Sequence, residues 1–225
     1  MSAYSRPYPE TAAIPAALAV PILRAFTNSA KWTAIRGGTS AYLRRIVQSI
    51  EARLVLDARI EAISRPQEGV DIRLQNNEVL HFDAVVLATP PDQALELLSD
   101  PTPAETLRFS SWRANRIRTV IHTDTGIYER RGARYYSEFD LVEGPDGGAG
   151  YNAYLNRLSG LPPEHPTHYF LAYGLEREID PNCVVHEQLH HTPLYTVEAL
   201  SQREQVLETQ GERRTFHAGA WLGDG

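Results

Sequence analysis

Apolar residues recur along this chain at two spacings, and each spacing predicts a different kind of element. Apolar positions three and four residues apart predict helices over 16–27, 41–52, 92–98 and 193–210. Ser40 should cap the second helix, and Thr192 with Pro193 should begin the last, because threonine caps helices and proline suits their first position. Gly211 should end that last helix, since glycine readily takes the left-handed conformation found at helix ends.

Short runs of β-branched, aromatic and aliphatic residues predict strands separated by turn residues. They cover residues 60–64, 70–74, 79–82, 84–88, 116–123, 133–139, 151–155, 167–173 and 213–218. The first three should form a β-meander, and the four between 116 and 173 an antiparallel sheet. The run Ala84-Val-Val-Leu-Ala88 is apolar at every position, which is typical of a parallel strand buried on both faces. The chain therefore has α/β character with an α+β component.

Composition narrows the classes of function. The chain has 225 residues, with 22 Lys and Arg against 28 Asp and Glu, and its formal charge is -6. This acidic balance gives no electrostatic support to a nucleic-acid partner. No run of about 18 apolar residues exists, so no membrane span is expected. A single cysteine, Cys183, cannot form an internal disulfide, so we expect a cytoplasmic protein.

One motif raises a rival function. His186-Glu-Gln-Leu-His190 matches the pattern in which two histidines on a helix hold zinc and the glutamate acts as general base. Glu204 or Glu208 would be the third ligand. The context disfavours this interpretation, because the two valines before the motif favour a strand and Thr192-Pro193 follows within two residues. We therefore predict a strand leading into a polar loop, with no metal site.

Several segments together resemble one protein family. Residues 84–90 (AVVLATP) are similar to a strand of the FAD-dependent amine oxidoreductase superfamily, which includes amine oxidases, protoporphyrinogen oxidases and phytoene desaturases. Residues 32–43 (WTAIRGGTSAYL) resemble its Gly-Gly segment and the helix that follows, and residues 54–63 resemble the strand pair before its meander. Further segments resemble a bacterial branch of predicted NAD/FAD-binding flavoproteins; they are 151–158, 179–181, 191–195 and 216–219.

The resemblance implies FAD as cofactor and assigns contacts to it. The residue at the place of Ile60 meets the adenine through its backbone, the segment 88–90 packs against the dinucleotide, and the segment 36–38 lies near the flavin. Gly219 and the turn 223–225 begin a C-terminal contact. The implied cofactor-binding residues are Arg36, Gly37, Gly38, Ile60, Ala88, Thr89, Pro90, Gly219 and Gly223.

The same resemblance implies a division of the chain. Residues 1–30 would be a helical and loop part of the substrate domain, 31–100 part of a Rossmann-like FAD-binding domain, 101–210 an antiparallel substrate domain with helices, and 211–225 the start of a C-terminal FAD-binding segment. The phosphate-binding pattern G-x-G-x-x-G is absent from the sequence. We therefore expect weak FAD binding by the chain alone, with a separate N-terminal FAD-binding segment as a possible partner.

The expected activity is hydride transfer from a small-molecule substrate to the flavin, which carries the chemistry itself, so the sequence names no catalytic residue. The alternative is a non-catalytic truncated product or interaction module. Four tyrosines at alternating strand positions either line a substrate cavity or pack the sheet. They are Tyr135, Tyr136, Tyr151 and Tyr154.

Overall fold

The computed structural model describes residues 13–27, 33, 35–143 and 149–223. The chain divides into two compact units. The first contains Arg24–Arg53 and Arg116–His190, and the second contains Ala12–Leu23, Leu54–Asn115 and His191–Gly225. The boundaries predicted from the resemblance stay predictions, and Trp32 lies outside the described residues.

The described residues form helices and strands in a mixed order. The helices are α1 (Ala16–Thr27), α2 (Thr39–Ser49), α3 (Pro91–Leu97), α4 (Pro103–Ser110), α5 (Gly126–Arg130), α6 (Leu155–Leu158) and α7 (Val197–Glu208). The strands are β1 (Ile60–Ser64), β2 (Val70–Leu74), β3 (Val79–Phe82), β4 (Val85–Leu87), β5 (Arg113–His122), β6 (Phe139–Glu143), β7 (Ala149–Tyr154), β8 (Phe170–Tyr173), β9 (Val184–Leu194) and β10 (Thr215–His217).

The second unit contains the predicted meander and a parallel pair of strands. Strands β1, β2 and β3 pair antiparallel in that order, which confirms the meander. Strand β4 pairs in parallel with β10, as its apolar run predicted. The core between these sheets and α3 consists of apolar residues that are less than a tenth exposed. They are Ile63, Val70, Val85, Leu87, Ala94 and Leu98.

The prediction that β4 is buried on both faces is wrong for this chain. Val85 and Leu87 are buried, whereas Val86 between them is 62% exposed. Phe216, its partner on β10, is 41% exposed. In a strand, successive side chains point to opposite faces, and within the described residues only the face toward α3 is covered.

A buried ion pair joins distant parts of the second unit. The Arg65 guanidinium is fully buried and donates to both carboxylate oxygens of Glu105, to Asp100 and to Thr215. Glu105 also completes a capping box with Thr102 at the start of α4. Sequence reasoning missed α4, although Thr102-Pro-Ala-Glu105 carries the capping signature.

The first unit is built on an antiparallel sheet. The strand order is β6-β7-β8-β5-β9, and the last residues of β9 and the first of β5 belong to the second unit. Its core includes Val120, Ile127, Phe170 and Leu175. His122 is fully buried and its Nε2 lies 3.0 Å from the Asn152 side-chain oxygen.

The tyrosines of this unit are mainly packing residues. Tyr136 and Tyr154 lie in ring contact with each other and with Phe170. Tyr151 contacts the ring of Tyr173 across the sheet. Tyr135 is 78% exposed. These contacts favour the packing interpretation over a shared cavity lining.

Several predicted elements differ from the observed ones. Residues 133–138 form an irregular loop rather than a strand, and the strand begins only at Phe139, after α5. Strand β9 continues through Thr192 and Pro193, so the predicted polar loop and helix start there are wrong. The last helix begins at Val197, capped by the Thr196 side chain. Ser40 lies inside α2, whose N-cap position is Gly38 without a side-chain bond.

Candidate functional site

The parallel pairing of β4 and β10 brings two predicted cofactor segments to one edge. Leu87 lies opposite His217, and the Ala218 backbone N–H donates to the Leu87 carbonyl at 3.0 Å. Residues 88–90 and Gly219 therefore follow their strands at the same end of the pair. In open α/β sheets, ligands bind outside the carboxyl ends of parallel strands. We call this end the carboxyl edge, defined by residues 88–90 and 218–219.

The exit of β4 combines an exposed small residue with a buried hydroxyl. Ala88 is exposed, and Thr89 and Pro90 are partly buried. Pro90 occupies the N-cap position of α3, where its carbonyl accepts from the Ala94 N–H at 2.9 Å. Thr89 Oγ1 is buried and has no hydrogen-bond partner in the described part of the chain. Such a hydroxyl is unusual in a folded protein and marks a place where a ligand could supply the partner.

Gly219 holds a conformation that side chains rarely adopt. Its φ is 137° and its ψ is 162°, a region that is essentially restricted to glycine. An added Cβ would lie 2.9 Å from Cδ1 of Trp221. Trp221 is buried in ring contact with Phe109 and Trp112, so it cannot easily move away. Glycine at this position keeps the backbone of the carboxyl edge bare.

A second predicted contact, Ile60, lies on an edge strand. Strand β1 is the outer strand of the meander, and Ile60 is 39% exposed at its first position. Next to it is an open cavity of about 410 Å³ lined by Asp57, Ala58, Arg59, Leu74, Gln75 and Asn76. An edge strand presents N–H and C=O groups to a flat base. The location suits the predicted backbone contact, which stays a prediction.

Arg36, Gly37 and Gly38 belong to the first unit. They are exposed and form a turn in which the Gly38 N–H donates to the Ile35 carbonyl at 2.9 Å. Both glycines have positive φ, 85° and 74°, so the turn requires them. Gly223, in the second unit, is extended with no atom near its missing Cβ. The other two residues of its predicted turn, 224 and 225, lie outside the described residues.

Sequence reasoning missed a partly buried histidine, His217, beside the carboxyl edge. The side-chain amide of Gln210 holds the His217 backbone, accepting from its N–H at 2.7 Å and donating to its carbonyl at 3.0 Å. Burial lowers the pKa of His217 to about 4, helped by the positive charges of Arg65 and Arg108 and opposed by Glu105. The ring packs on Phe109 at 4.9 Å between centroids. Only the fold could reveal this neutral, enclosed imidazole.

The rival metal site is not formed. His186 and His190 lie on strand β9 rather than on a helix. His190 Nε2 is 2.8 Å from the Thr119 hydroxyl, and Glu187 pairs with Arg118. Across residues 13–27, 33, 35–143 and 149–223, no group of three His, Cys, Asp or Glu side chains is arranged to hold a metal ion.

Comparison with known families shows to which family the chain belongs. A family model described as flavin containing amine oxidoreductase matches residues 13–125, which is half of the chain. This chain belongs to the flavin-containing amine oxidoreductase family. The predicted resemblance is thereby confirmed, and the flavin in the family's description confirms the predicted cofactor class. The matched range includes Arg36, Ile60 and the β4 exit but not Gly219.

Solved structures support the fold of the family. A CLA-producing fatty acid isomerase from P. acnes is 18% identical with a TM-score of 0.59, covering 81% of this chain and 47% of its own. Cyclohexylamine oxidase from Brevibacterium oxydans is 13% identical with a TM-score of 0.54, covering 83% and 48%. A redesigned putrescine oxidase is 10% identical with a TM-score of 0.54, covering 83% and 48%. The predicted fold class is confirmed.

Three further findings complete the comparison. The chain spans about half the length of these solved structures. No curated protein sequence matches it. Among the described residues, no helix has the length and apolar character needed to cross a membrane.

The residues present at the carboxyl edge suit a dinucleotide such as FAD. Thr89 Oγ1 is a buried hydroxyl without a partner in the described residues, and Gly219 has a backbone that a side chain would obstruct. Ala88, the residue before Thr89, is small and exposed. A backbone without a side chain and a hydroxyl without a partner, both at the end of parallel strands, allow a dinucleotide to approach the protein backbone closely.

Proposed function

We propose that this chain supplies part of the cofactor-binding domain, and the substrate-domain sheet, of an FAD-dependent oxidoreductase. The observation that carries the proposal is the parallel register of β4 and β10, which brings Thr89 and Gly219 to one edge. Family membership supports the cofactor. When bound, the flavin would accept a hydride from the substrate, and the residues of this chain would hold it in position and exclude water.

The proposed substrate is a small organic molecule, either an amine or a fatty-acid-like compound. Two of the similar structures are oxidases named for cyclohexylamine and putrescine, and a third is an isomerase of fatty acids. Since these proteins share only the fold with this chain, they support a substrate class without choosing within it.

The test is a visible absorption spectrum of the purified chain, desalted after incubation with FAD. Retained flavin bands support the proposal, whereas a colourless wild-type chain contradicts cofactor binding by this polypeptide. Gly219→Val should lose the bands because the side chain meets Trp221 and the backbone is strained. Gly132→Val is the matched control, since Gly132 also has a positive φ, 63°, but no described atom lies near its missing Cβ and it belongs to none of the predicted cofactor contacts.

A second candidate is a non-catalytic interaction module, and exposed apolar residues favour it. Val86 and Phe216 lie side by side, exposed, on the uncovered face of the parallel pair. Within the described residues, helix α2 buries none of its side chains. Its apolar residues Leu43, Ile46 and Val47, and Ile50 directly after it, are about half exposed. A separate FAD-binding segment would be the partner. Val86→Lys should then reduce copurification of the chain with that segment, whether or not FAD is added.

A further inference from the structure

Strand β10 has an outer edge on the side away from β4. In the described part of the chain, no strand pairs with β10 on that side. The N–H and C=O of one residue in a strand point to the same side, and those of the next residue point to the other. The Ala218 N–H bonds Leu87 on β4, so the N–H and C=O of His217 point outward. Such an edge normally offers its backbone groups to another chain.

The chain closes this outer edge with a side chain and a turn. The Gln210 side-chain amide accepts from the His217 N–H at 2.7 Å and donates to the His217 carbonyl at 3.0 Å. On the same edge, the Gly211 N–H donates to the Thr215 carbonyl at 2.9 Å. A primary amide carries both the donor and the acceptor of a peptide unit. Gln210 therefore bonds His217 as the backbone of a neighbouring strand would.

The position of Gln210 is itself fixed on both sides. It follows Thr209, the C-cap residue of α7, whose hydroxyl accepts from the Arg108 guanidinium of α4 at 2.9 Å. The next residue, Gly211, has a φ of 88° and turns the chain back toward β10. The amide thus links the end of α7 to His217, and the carboxyl edge begins one residue later.

We propose that Gln210 is a positioning residue, whose side-chain amide replaces a neighbouring strand and fixes the backbone of the carboxyl edge for its ligand. Glycine is the most flexible residue, so we expect Gly219 to keep its φ of 137° only where the strand before it is held. The role rests on the proposed function for the identity of the ligand, but its effect on the backbone can be measured without one.

The first measurement is amide hydrogen exchange, followed by NMR on the full chain without FAD. At pH 8, Gln210→Glu keeps an acceptor for the His217 N–H but places a carboxylate oxygen against the His217 carbonyl, where a donor is needed. The protection factor of the Ala218 N–H should fall about tenfold, whereas the amides of strand β2 should keep their wild-type protection. Unchanged protection at Ala218, or an equal fall in β2, would overturn the positioning role.

The chain offers a matched control on the same helix. Gln205 is exposed on α7, so Gln205→Glu adds the same negative charge nearby and should leave the protection of Ala218 unchanged. Gln210→Met removes both hydrogen bonds without adding a charge, and it should lower the protection of Ala218 as Gln210→Glu does. A Gln210→Met chain that protects Ala218 as well as the wild type would also count against the role.

The second measurement is the affinity for FAD, by fluorescence titration, relative to the wild type at each pH. At pH 8, Gln210→Glu should bind FAD about tenfold more weakly. As the pH falls to 5, part of the new carboxylate becomes a carboxylic acid that can donate to the His217 carbonyl, so about twofold of the loss should return. Burial lowers the pKa of His217 to about 4, so its ring stays mainly neutral in this range. The charges that face it belong to Glu105, Arg65 and Arg108.

The two measurements separate the role of Gln210 from the proposed function. If the wild type binds no FAD, the proposed function is wrong, and the exchange of the Ala218 N–H still decides whether Gln210 positions the edge. If the wild type and Gln210→Glu bind FAD equally at pH 8, the cofactor function stands and the positioning role is wrong. A loss of affinity that does not recover at pH 5 would show a purely structural effect and would also overturn the role.

Discussion

The two units each bury a polar network, one built on an ion pair and the other, which we call the neutral network, built on the uncharged side chains of His122, Asn152 and Tyr128, with the Asp140 carboxylate at its end. In the second unit, the Arg65 guanidinium is enclosed by Glu105, Asp100 and Thr215. In the first, His122 bonds Asn152, whose amide lies 3.4 Å from the Tyr128 hydroxyl. A buried ion pair makes each partner depend strongly on the other, whereas a neutral network loses less when one member is removed. The unit with the carboxyl edge therefore has the more vulnerable interior.

The largest effect should come from breaking the ion pair. Glu105→Gln leaves the buried Arg65 charge without its main partner, and we expect a loss of about 3–5 kcal/mol in the free energy of unfolding. Urea denaturation measures it. Arg65→Met with Glu105→Leu is the control, because replacing both charges by apolar side chains should cost much less than the single change. Equal costs would contradict the ionic description.

A smaller loss of stability should follow from removing the hydrogen bonds of His122 in the neutral network. His122→Phe keeps a ring that can stack on Phe170 but leaves the Asn152 oxygen and the Asp124 N–H without their partner. We expect a cost of about 1–3 kcal/mol. Denaturation followed by tyrosine fluorescence measures the first unit, where these residues lie. A cost as large as that of Glu105→Gln would remove the contrast between the units.

The smallest effect is a dependence of the free energy of unfolding on pH, which separates the contribution of His217 from that of His122. Burial lowers the pKa of His217 to about 4 from 6.5, so its contribution is complete above pH 6.5 and is lost as the pH falls toward 4. We expect a loss of about 1 kcal/mol by pH 5.5. His217→Phe should reduce this slope. Burial also lowers the pKa of His122, so a slope from that residue should persist in the variant.

At lower pH, the Arg65–Glu105 ion pair should dominate the pH dependence of the free energy of unfolding. Bonds from Arg65 and Thr102 overcome the cost of burial and lower the pKa of Glu105 to about 2 from 4.5. A lowered carboxyl pKa stabilises the fold above 4.5, and the stabilisation is lost as the pH falls toward 2. Glu105→Gln should therefore flatten the stability curve between these values. An unchanged acid transition in this variant would contradict the assignment.

The sequence predicted those parts of the fold whose signals are local. The meander could be located because turn residues separate short strands, and β4 because a run without polar residues indicates a parallel strand. Strand β9 could not, because proline at position 193 suggested a helix start and the pairing that overrides it involves a distant strand. The strand predicted at 133–139 failed for the opposite reason, since Tyr135 and Tyr136 have strand propensity but lie in a loop, where Tyr136 packs against Tyr128 and Phe170 and Tyr135 is exposed.

The residues of the candidate site also divide into those that the sequence indicated and those that it did not. Gly219 and Thr89 were indicated by the resemblance, and the structure gives each a physical reason, a restricted φ and a buried hydroxyl. The enclosed His217 ring has no local signal, because it depends on contacts between residues far apart in the chain. Contacts of this kind become visible only when the chain is folded.

The pairing of β4 with β10 also has a consequence for how the protein is made. Most of the described chain lies between these two strands, so their contact closes a very long loop and carries a large entropic cost. The meander pairs neighbours and can form early during synthesis, whereas the carboxyl edge must wait until β10 has left the ribosome. A nascent chain that ends before β10 is therefore unable to assemble this edge.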